Sequence, residues 1–310
     1  MSADLWVLGN LTIDDLVLPD GTTAMGMCGG NAIFAAIGGR LWSSSVGLAA
    51  RIGPDFPRSH VQSLEAAGIT LALSPTTAPT IHNWALYETP ERRRFINWLD
   101  SGSHLDQSLL PAEVPKQAGQ ARACHIAPMP LDVQAQLVKH LAHETALVSL
   151  DPHDEYIRGY EPQFLDLLRL VDLFLPSRQE ATLLFGRDAP EAAAVAFAAR
   201  GPQVVVIKLG AEGSLVYGPR LDHPVRVPAL PVAAIDPTGA GDAYCGAFCV
   251  SYARHPDVLE AALRATVAAS FVVERRGALA VLPFDCSTAE QRLERLTKEM
   301  NLPCAWTTAS

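Results

Sequence analysis

The chain has 310 residues, 49% of them hydrophobic and 18% charged, which is enough apolar material for a large core and too much for a disordered polymer. Its 24 Lys and Arg against 33 Asp and Glu give a net charge of −9, and this argues against nucleic acid as a partner, because such binding needs clustered cations to displace phosphate counterions. A chain this long is no small disulfide scaffold, and it admits either two domains or one large α/β unit.

No Lys or Arg precedes Arg40, and no apolar run approaches the roughly 18 residues of a membrane span. The expectation is a cytoplasmic protein with no membrane partner. Cys28, Cys124, Cys245, Cys249, Cys286 and Cys304 form no Cys-x-x-Cys pair, which suits reduced thiols; Cys245 and Cys249 read as a core pair on one helix face.

From the N-terminus onward, short apolar runs predict strands at 5–8, 45–49, 124–127, 146–150, 173–176, 204–209 and 214–217. Apolar residues at three- and four-residue spacing predict helices over 31–38, 57–67, 131–142, 163–170, 177–185 and 190–199, with Gly68 and Gly186 as C-terminal stops. This alternation is the pattern of an α/β, doubly wound, mainly parallel sheet covered on both faces. Two segments interrupt it, 11–27 and 77–99. The first carries a turn at Pro19-Asp20-Gly21. The second reads as extended stretches 82–88 and 94–98 joined through Thr89-Pro90-Glu91, and the two inserts together predict a small β lid. Arg92, Arg93 and Arg94 form the dense basic run, either a solvated face or a cation supplied near that lid.

The richest stretch runs from Ala234 to Phe248, where an apolar run passes through a glycine turn into a helix. Thr238, Gly239, Ala240 and Gly241 would present unpaired backbone N–H groups at the positive end of that helix, a cradle for phosphate or developing negative charge. Asp242 falls in the first helical turn, where a carboxylate can cap the helix, bind a metal or act as a general base. No Gly-x-x-x-x-Gly-Lys-[Ser/Thr] loop is present, which excludes a P-loop kinase. The Gly-x-Gly-x-x-Gly of a dinucleotide fold and the Gly-x-Ser-x-Gly of a hydrolase are also missing.

The whole string Asp236-Pro-Thr-Gly-Ala-Gly-Asp242 resembles the C-terminal signature of the ribokinase, or PfkB, family of carbohydrate kinases. Further family features stand in the expected order over nearly the whole chain. Leu8-Gly-Asn-Leu-Thr-Ile-Asp14 is similar to the first strand and its substrate aspartate. Gly29-Gly30-Asn31-Ala32 is similar to the di-glycine motif. Leu175-Pro-Ser-Arg-Gln-Glu180 takes the place of Asn-x-x-Glu, with Ser177 where the family usually has Asn. Lys208-Leu-Gly-Ala-Glu-Gly213 is similar to the nucleotide-side turn, and Arg276-Gly277-Ala278 before Pro283 closes the set.

The resemblance implies a ribokinase-like domain over 1–310 with the two inserts as its lid. It implies transfer of phosphate from ATP, with Mg2+ and K+ as candidate cofactors, to a hydroxyl of a sugar or sugar-like acceptor. The alternatives are a nucleoside kinase of the same family or a catalytically silent binding protein. Asp242 would be the base and the amides of Gly239, Ala240 and Gly241 the anion hole. Asp14, Gly29, Gly30 and Asn31 would hold the acceptor, Lys208, Gly210, Gly213 and Thr238 the nucleotide, and Glu180 the metal. Phe34 would face the acceptor or pack in the core, and a homodimer would form through the lid.

Overall fold

The computed structural model describes residues 2–89, 92–142 and 144–302; the Pro90-Glu91 link, the side chains of Thr89, Arg92 and Arg93, and Cys304 lie outside the described part. The strands are β1 (Leu5–Leu8), β2 (Thr12–Val17), β3 (Thr23–Gly29), β4 (Val46–Ile52), β5 (Ile69–Pro75), β6 (Ile81–Thr89), β7 (Arg92–Asn97), β8 (Ala123–Ile126), β9 (Val148–Leu150), β10 (Leu173–Phe174), β11 (Val204–Lys208), β12 (Ser214–Tyr217) and β13 (Val225–Val227). The helices are α1 (Asn31–Arg40), α2 (Arg58–Ala66), α3 (Lys116–Gly119), α4 (Leu131–Leu141), α5 (Asp154–Ile157), α6 (Glu161–Leu167), α7 (Arg178–Phe185), α8 (Pro190–Ala198), α9 (Ala240–Arg254), α10 (Val258–Val273) and α11 (Cys286–Glu299). None is long and apolar enough to cross a membrane, among the described residues.

Nine strands form the main sheet in the order β13-β12-β11-β10-β9-β8-β1-β4-β5. They run parallel except at the β12 and β13 edge. Both faces are buried: Val204 and Val206 of β11 join the core under α1, α9 and α10, while Val205 and Ile207 join the core under α4, α6 and α8. Burial on both sides explains the continuous β-branched run there. β5 and β13, the outermost strands, were not expected from the sequence, and the apolar run 230–235 enters neither sheet.

The two inserts form a second sheet, ordered β3-β2-β6-β7. Each insert folds on itself antiparallel, and β2 meets β6 in parallel register, with Asp14 opposite Asn83 and Leu16 opposite Ala85. Alternation then places Asp14, Leu16, Asn83, Ala85 and Tyr87 on one face and Trp84, Leu86 and Ile96 on the other.

Beneath the site, α1 and α9 cross backbone to backbone. A Cβ on Gly38 would lie 2.0 Å from the Ala243 carbonyl oxygen, and one on Gly246 would lie 1.8 Å from that of Ala35. Only hydrogen fits at these positions, so the helices meet at a separation no larger residue allows.

Candidate active site

The carboxyl ends of the parallel strands carry the polar groups, as expected for an open α/β sheet. Asp151 follows β9, Lys208 ends β11, and Ser177, bridged to Lys208, opens α7. The Lys208 Nζ donates to Asp151 Oδ2 at 2.6 Å and reaches Cys245 Sγ at 3.4 Å. Burial opposes an ammonium here, but Asp151, Cys245 and Glu180 together outweigh it and raise the Lys208 pKa. Burial also pushes the Asp151 carboxyl up to about 7, against the pull of Lys208. His125, Asp151 and Cys245 converge as metal ligands do. Lys208 contacts two of the three, Asp151 and Cys245, while the buried Asp151 Oδ1 and His125 Nε2 have no hydrogen-bond partner.

Asp242 occupies the first turn of α9, as its place in the sequence implied. Burial raises its pKa to about 6; Lys208 opposes the rise and Glu180 adds to it. Glu180 therefore sits within electrostatic reach of Asp242, Asp151 and Lys208. Its Oε2 accepts the Ser177 backbone N–H at 2.6 Å while Ser177 Oγ accepts the Glu180 N–H at 3.3 Å, a reciprocal cap of α7. The serine that departs from the family pattern is thus a helix cap.

Gly239 opens α9 with φ +77°, and a Cβ there would fall 2.2 Å from Phe34 Cγ. The left-handed conformation and the ring against it together demand glycine. Phe34 is buried in the core, as one of its two expected placements had it, and it also lines the pocket beside Asp14. The ideal Cβ position of Gly241 is 3.7 Å from Lys208 Nζ, which sets the ammonium beside the amide turn.

A pocket opens between the second sheet and this turn, lined by Asp14, Phe34, Tyr87, Phe95 and Thr238 among others. Asp14 Oδ1 accepts from Thr12 Oγ1 at 3.0 Å and Asn83 Nδ2 at 3.3 Å, yet burial lifts its pKa to about 6. Gly29 lies directly against this carboxylate. The Asn31 amide is committed elsewhere. Its Oδ1 accepts the Asn10 N–H at 2.9 Å and its Nδ2 donates to the Pro128 carbonyl at 2.6 Å, tying the ends of β1 and β8 together. Gly30 caps α1 beside it. Gly210 and Gly213 bracket the turn from β11 to β12, closed by the Leu209 N–H on the Gly213 carbonyl at 2.8 Å, and they line no pocket with Asp14. Arg94 is exposed on β7.

Three groups were missed in the sequence: Asp151, Tyr87 and the buried His125. Asp151 did carry a signal, since it stands immediately after a predicted strand, where ligand-side groups of such sheets collect.

The chain is similar to known kinases in sequence and in fold. A family model described as pfkB family carbohydrate kinase matches residues 20–285. The cytidine kinase of Thermococcus kodakarensis is 30% identical over 253 residues, covering 81% of this chain and 89% of that one. The deoxyribokinase of Salmonella typhi is 27% identical over 272 residues, covering 83% and 84%. Among solved structures, a ribokinase II from E. coli superposes with TM-score 0.79 at 22% identity over 94% of this chain and 99% of that one. A nucleoside kinase of Methanocaldococcus jannaschii does so with TM-score 0.73 at 19% identity, covering 95% and 99%.

Fold and site define a kinase of ribokinase-like architecture. The chain belongs to the pfkB family of carbohydrate kinases.

Proposed function

We propose that the protein transfers the terminal phosphoryl group of ATP to a hydroxyl of a nucleoside. The observation that carries the choice of acceptor is the pocket wall. Leu16, Met27, Cys28, Phe34, Ala85 and Phe95 line it, with the Asp14 carboxylate among them. An acceptor with a flat apolar part and a pair of hydroxyls suits such a wall, whereas a free sugar would leave its ring hydroxyls facing carbon. The cytidine kinase and nucleoside kinases among the relatives support the same choice. Coupled ADP release with cytidine, adenosine, inosine, ribose, deoxyribose and fructose tests it. A nucleoside is expected to exceed free ribose at least about tenfold in kcat/KM, a gap that loss of the base's burial readily produces. Preference for a free sugar overturns the choice.

In this reading Asp14 accepts the acceptor's hydroxyl protons and orients it. Asp242 removes the proton from the attacking hydroxyl, and its pKa near 6 suits a base at neutral pH. The amides of Gly239, Ala240 and Gly241 receive the charge that spreads over the phosphoryl oxygens, with Lys208 held beside them by Asp151. Asp151, Glu180 and Asp242 lie around the Lys208 ammonium, and this excess of carboxylate oxygen suits a hard divalent cation. When bound, Mg2+ would neutralise phosphate charge there, with Glu180 as the holding residue. The five described cysteines are free, which fits a reducing cytoplasm.

Two carboxylates with pKa near 6 give a prediction. Both must be ionised, so the acid limb of log kcat/KM, which reports the free enzyme, should fall below pH 6 with a slope approaching two. Asp14→Asn should raise the acceptor KM by about tenfold or more, the cost of one hydrogen bond to a charged group, and reduce the slope to one. A slope of two persisting in Asp14→Asn would remove Asp14 from the reaction.

We also propose that two copies pair through the outer faces of their second sheets. Trp84 and His82 stack on Trp98 at 5.4 and 4.2 Å, and Met25, Ile96 and Trp98 are exposed around them. An exposed apolar cluster of this kind marks an association surface. Ile96→Lys should convert a dimer to a monomer in sedimentation equilibrium; a wild-type monomer at high concentration would discard the pairing.

A further inference from the structure

The Tyr87 phenol links the two halves of the site. From β6 it reaches across the pocket to Asp236 Oδ1 at 2.9 Å, with Thr238 Oγ1 at 3.1 Å. The same carboxylate oxygen accepts the Thr238 N–H at 2.9 Å and the Thr238 hydroxyl at 2.6 Å. A carboxylate oxygen only accepts, so both hydroxyls direct their protons to it and all three bonds converge on one atom. Asp236 is 2% exposed, and its own N–H is held by the Val273 carbonyl at 3.1 Å. The segment between Asp236 and the start of α9 is therefore clamped at one end by α10 and by the second sheet. At the other end lies Gly239, the left-handed residue that aims the amides.

On the same face of β6, Asn83 donates to Asp14. Four residues of extended chain separate Asn83 from Tyr87, roughly 13 Å at about 3.3 Å per residue. One rigid strand thus touches the acceptor carboxylate at one point and the phosphoryl-transfer turn at another. Met27 of β3 adds an apolar contact from the same sheet, against Gly277.

We infer that Tyr87 is a positioning residue that ties closure of the second sheet over the acceptor to the setting of the 236–241 turn. The inference rests on the kinase reading for its role in catalysis, but the tie itself is a property of the free protein. With the sheet closed, the phenol fixes Asp236, and through Thr238 the turn presents its amides at the angle Gly239 allows. With the sheet away, Asp236 keeps only its local bonds and the turn loses its outer restraint. A seated acceptor holds the sheet closed and so raises the share of molecules in which the turn is set, which favours transfer to the acceptor over transfer to water.

Tyr87→Phe tests this while keeping the ring and its burial. Hydrogen exchange on the unliganded protein is the deciding measurement. Faster exchange at residues 238–241 in the variant than in wild type is expected, and unchanged exchange there overturns the inference whatever the kinetics show. In turnover, kcat for the acceptor should fall about tenfold, as for loss of one hydrogen bond to a charged group. The KM for ATP should stay within about twofold, and ATP hydrolysis without acceptor should rise relative to transfer. An unchanged ratio of hydrolysis to transfer also overturns it. Should wild type phosphorylate no acceptor, the kinase reading falls and the exchange result still decides whether Tyr87 restrains the turn.

Discussion

Asp242→Asn is expected to lower kcat by at least about a hundredfold, the low end for loss of a positioned general base. The amide fills the same volume in the first turn of α9 but cannot take the proton of the attacking hydroxyl. Affinity for a non-hydrolysable ATP analogue should be retained, since the substitution removes a negative charge beside Glu180 and leaves Lys208 and the amides in place. The same variant should be more stable than wild type at neutral pH. Burial raises the Asp242 pKa from 3.8 to about 6, so the folded state holds its proton more tightly than the unfolded chain. The wild type then loses stability as pH rises from about 4 to 6, by up to about 3 kcal/mol at 1.36 kcal/mol per pKa unit. Asn carries no such dependence, and its advantage should vanish below pH 4. Kinetics alongside thermal melts at pH 4 and 7 check both parts, and near-normal turnover would remove Asp242 as the base.

Asp151→Ala is expected to cost about 3–5 kcal/mol of stability in denaturant melts, because it strands the Lys208 ammonium in a closed environment. Asp151 is 2% exposed and the Lys208 side chain 14%, so solvent supplies little compensation. Removing both charges should behave differently. Asp151→Leu with Lys208→Met fills similar volume without an ion, and it should recover most of the lost stability while remaining poorly active. A single-variant loss below about 1 kcal/mol would mean that water reaches Lys208 in the folded state. The contrast between the two variants separates the stability of the pair from its service to the amide turn.

These two residues also show what the sequence discloses. The place of Asp242 in the first turn of α9 was legible because Gly239, Ala240 and Gly241 precede it directly, and a turn into a helix is a local event. Asp151 was not, since its partner Lys208 is 57 positions away, and nothing in either neighbourhood announces the other. Tyr87 and Asp236 are 149 positions apart. The central strands were readable from their apolar runs, within a residue or two at their ends, except that β4 continues three residues past its expected end at 49. β5 escaped notice because Thr70, Ser74 and Pro75 dilute its apolar signal at the sheet edge. α10 is buried on nearly every side, so it offers no polar face to reveal its period, whereas α11 repeats buried residues at 289, 293 and 296 and was readable in principle. That the two inserts share one small sheet was expected, but the parallel register of β2 on β6 joins residues more than sixty positions apart and is not encoded in local patterns.

The crossing of α1 and α9 has a consequence for how such an enzyme diversifies. Gly38 and Gly246 lock the helix that begins at the di-glycine motif to the one that begins at the amide turn. In the proposed reaction, alignment of nucleophile with phosphate falls to this rigid chassis. The apolar residues that line the pocket at 16, 27, 85 and 95 hang from strands inserted elsewhere in the chain. Drift in those strands can exchange one acceptor for another while the chassis goes unaltered. Selection for new substrates should therefore leave its changes in the inward-facing positions of β2, β3, β6 and β7, and spare the glycines of the helix crossing.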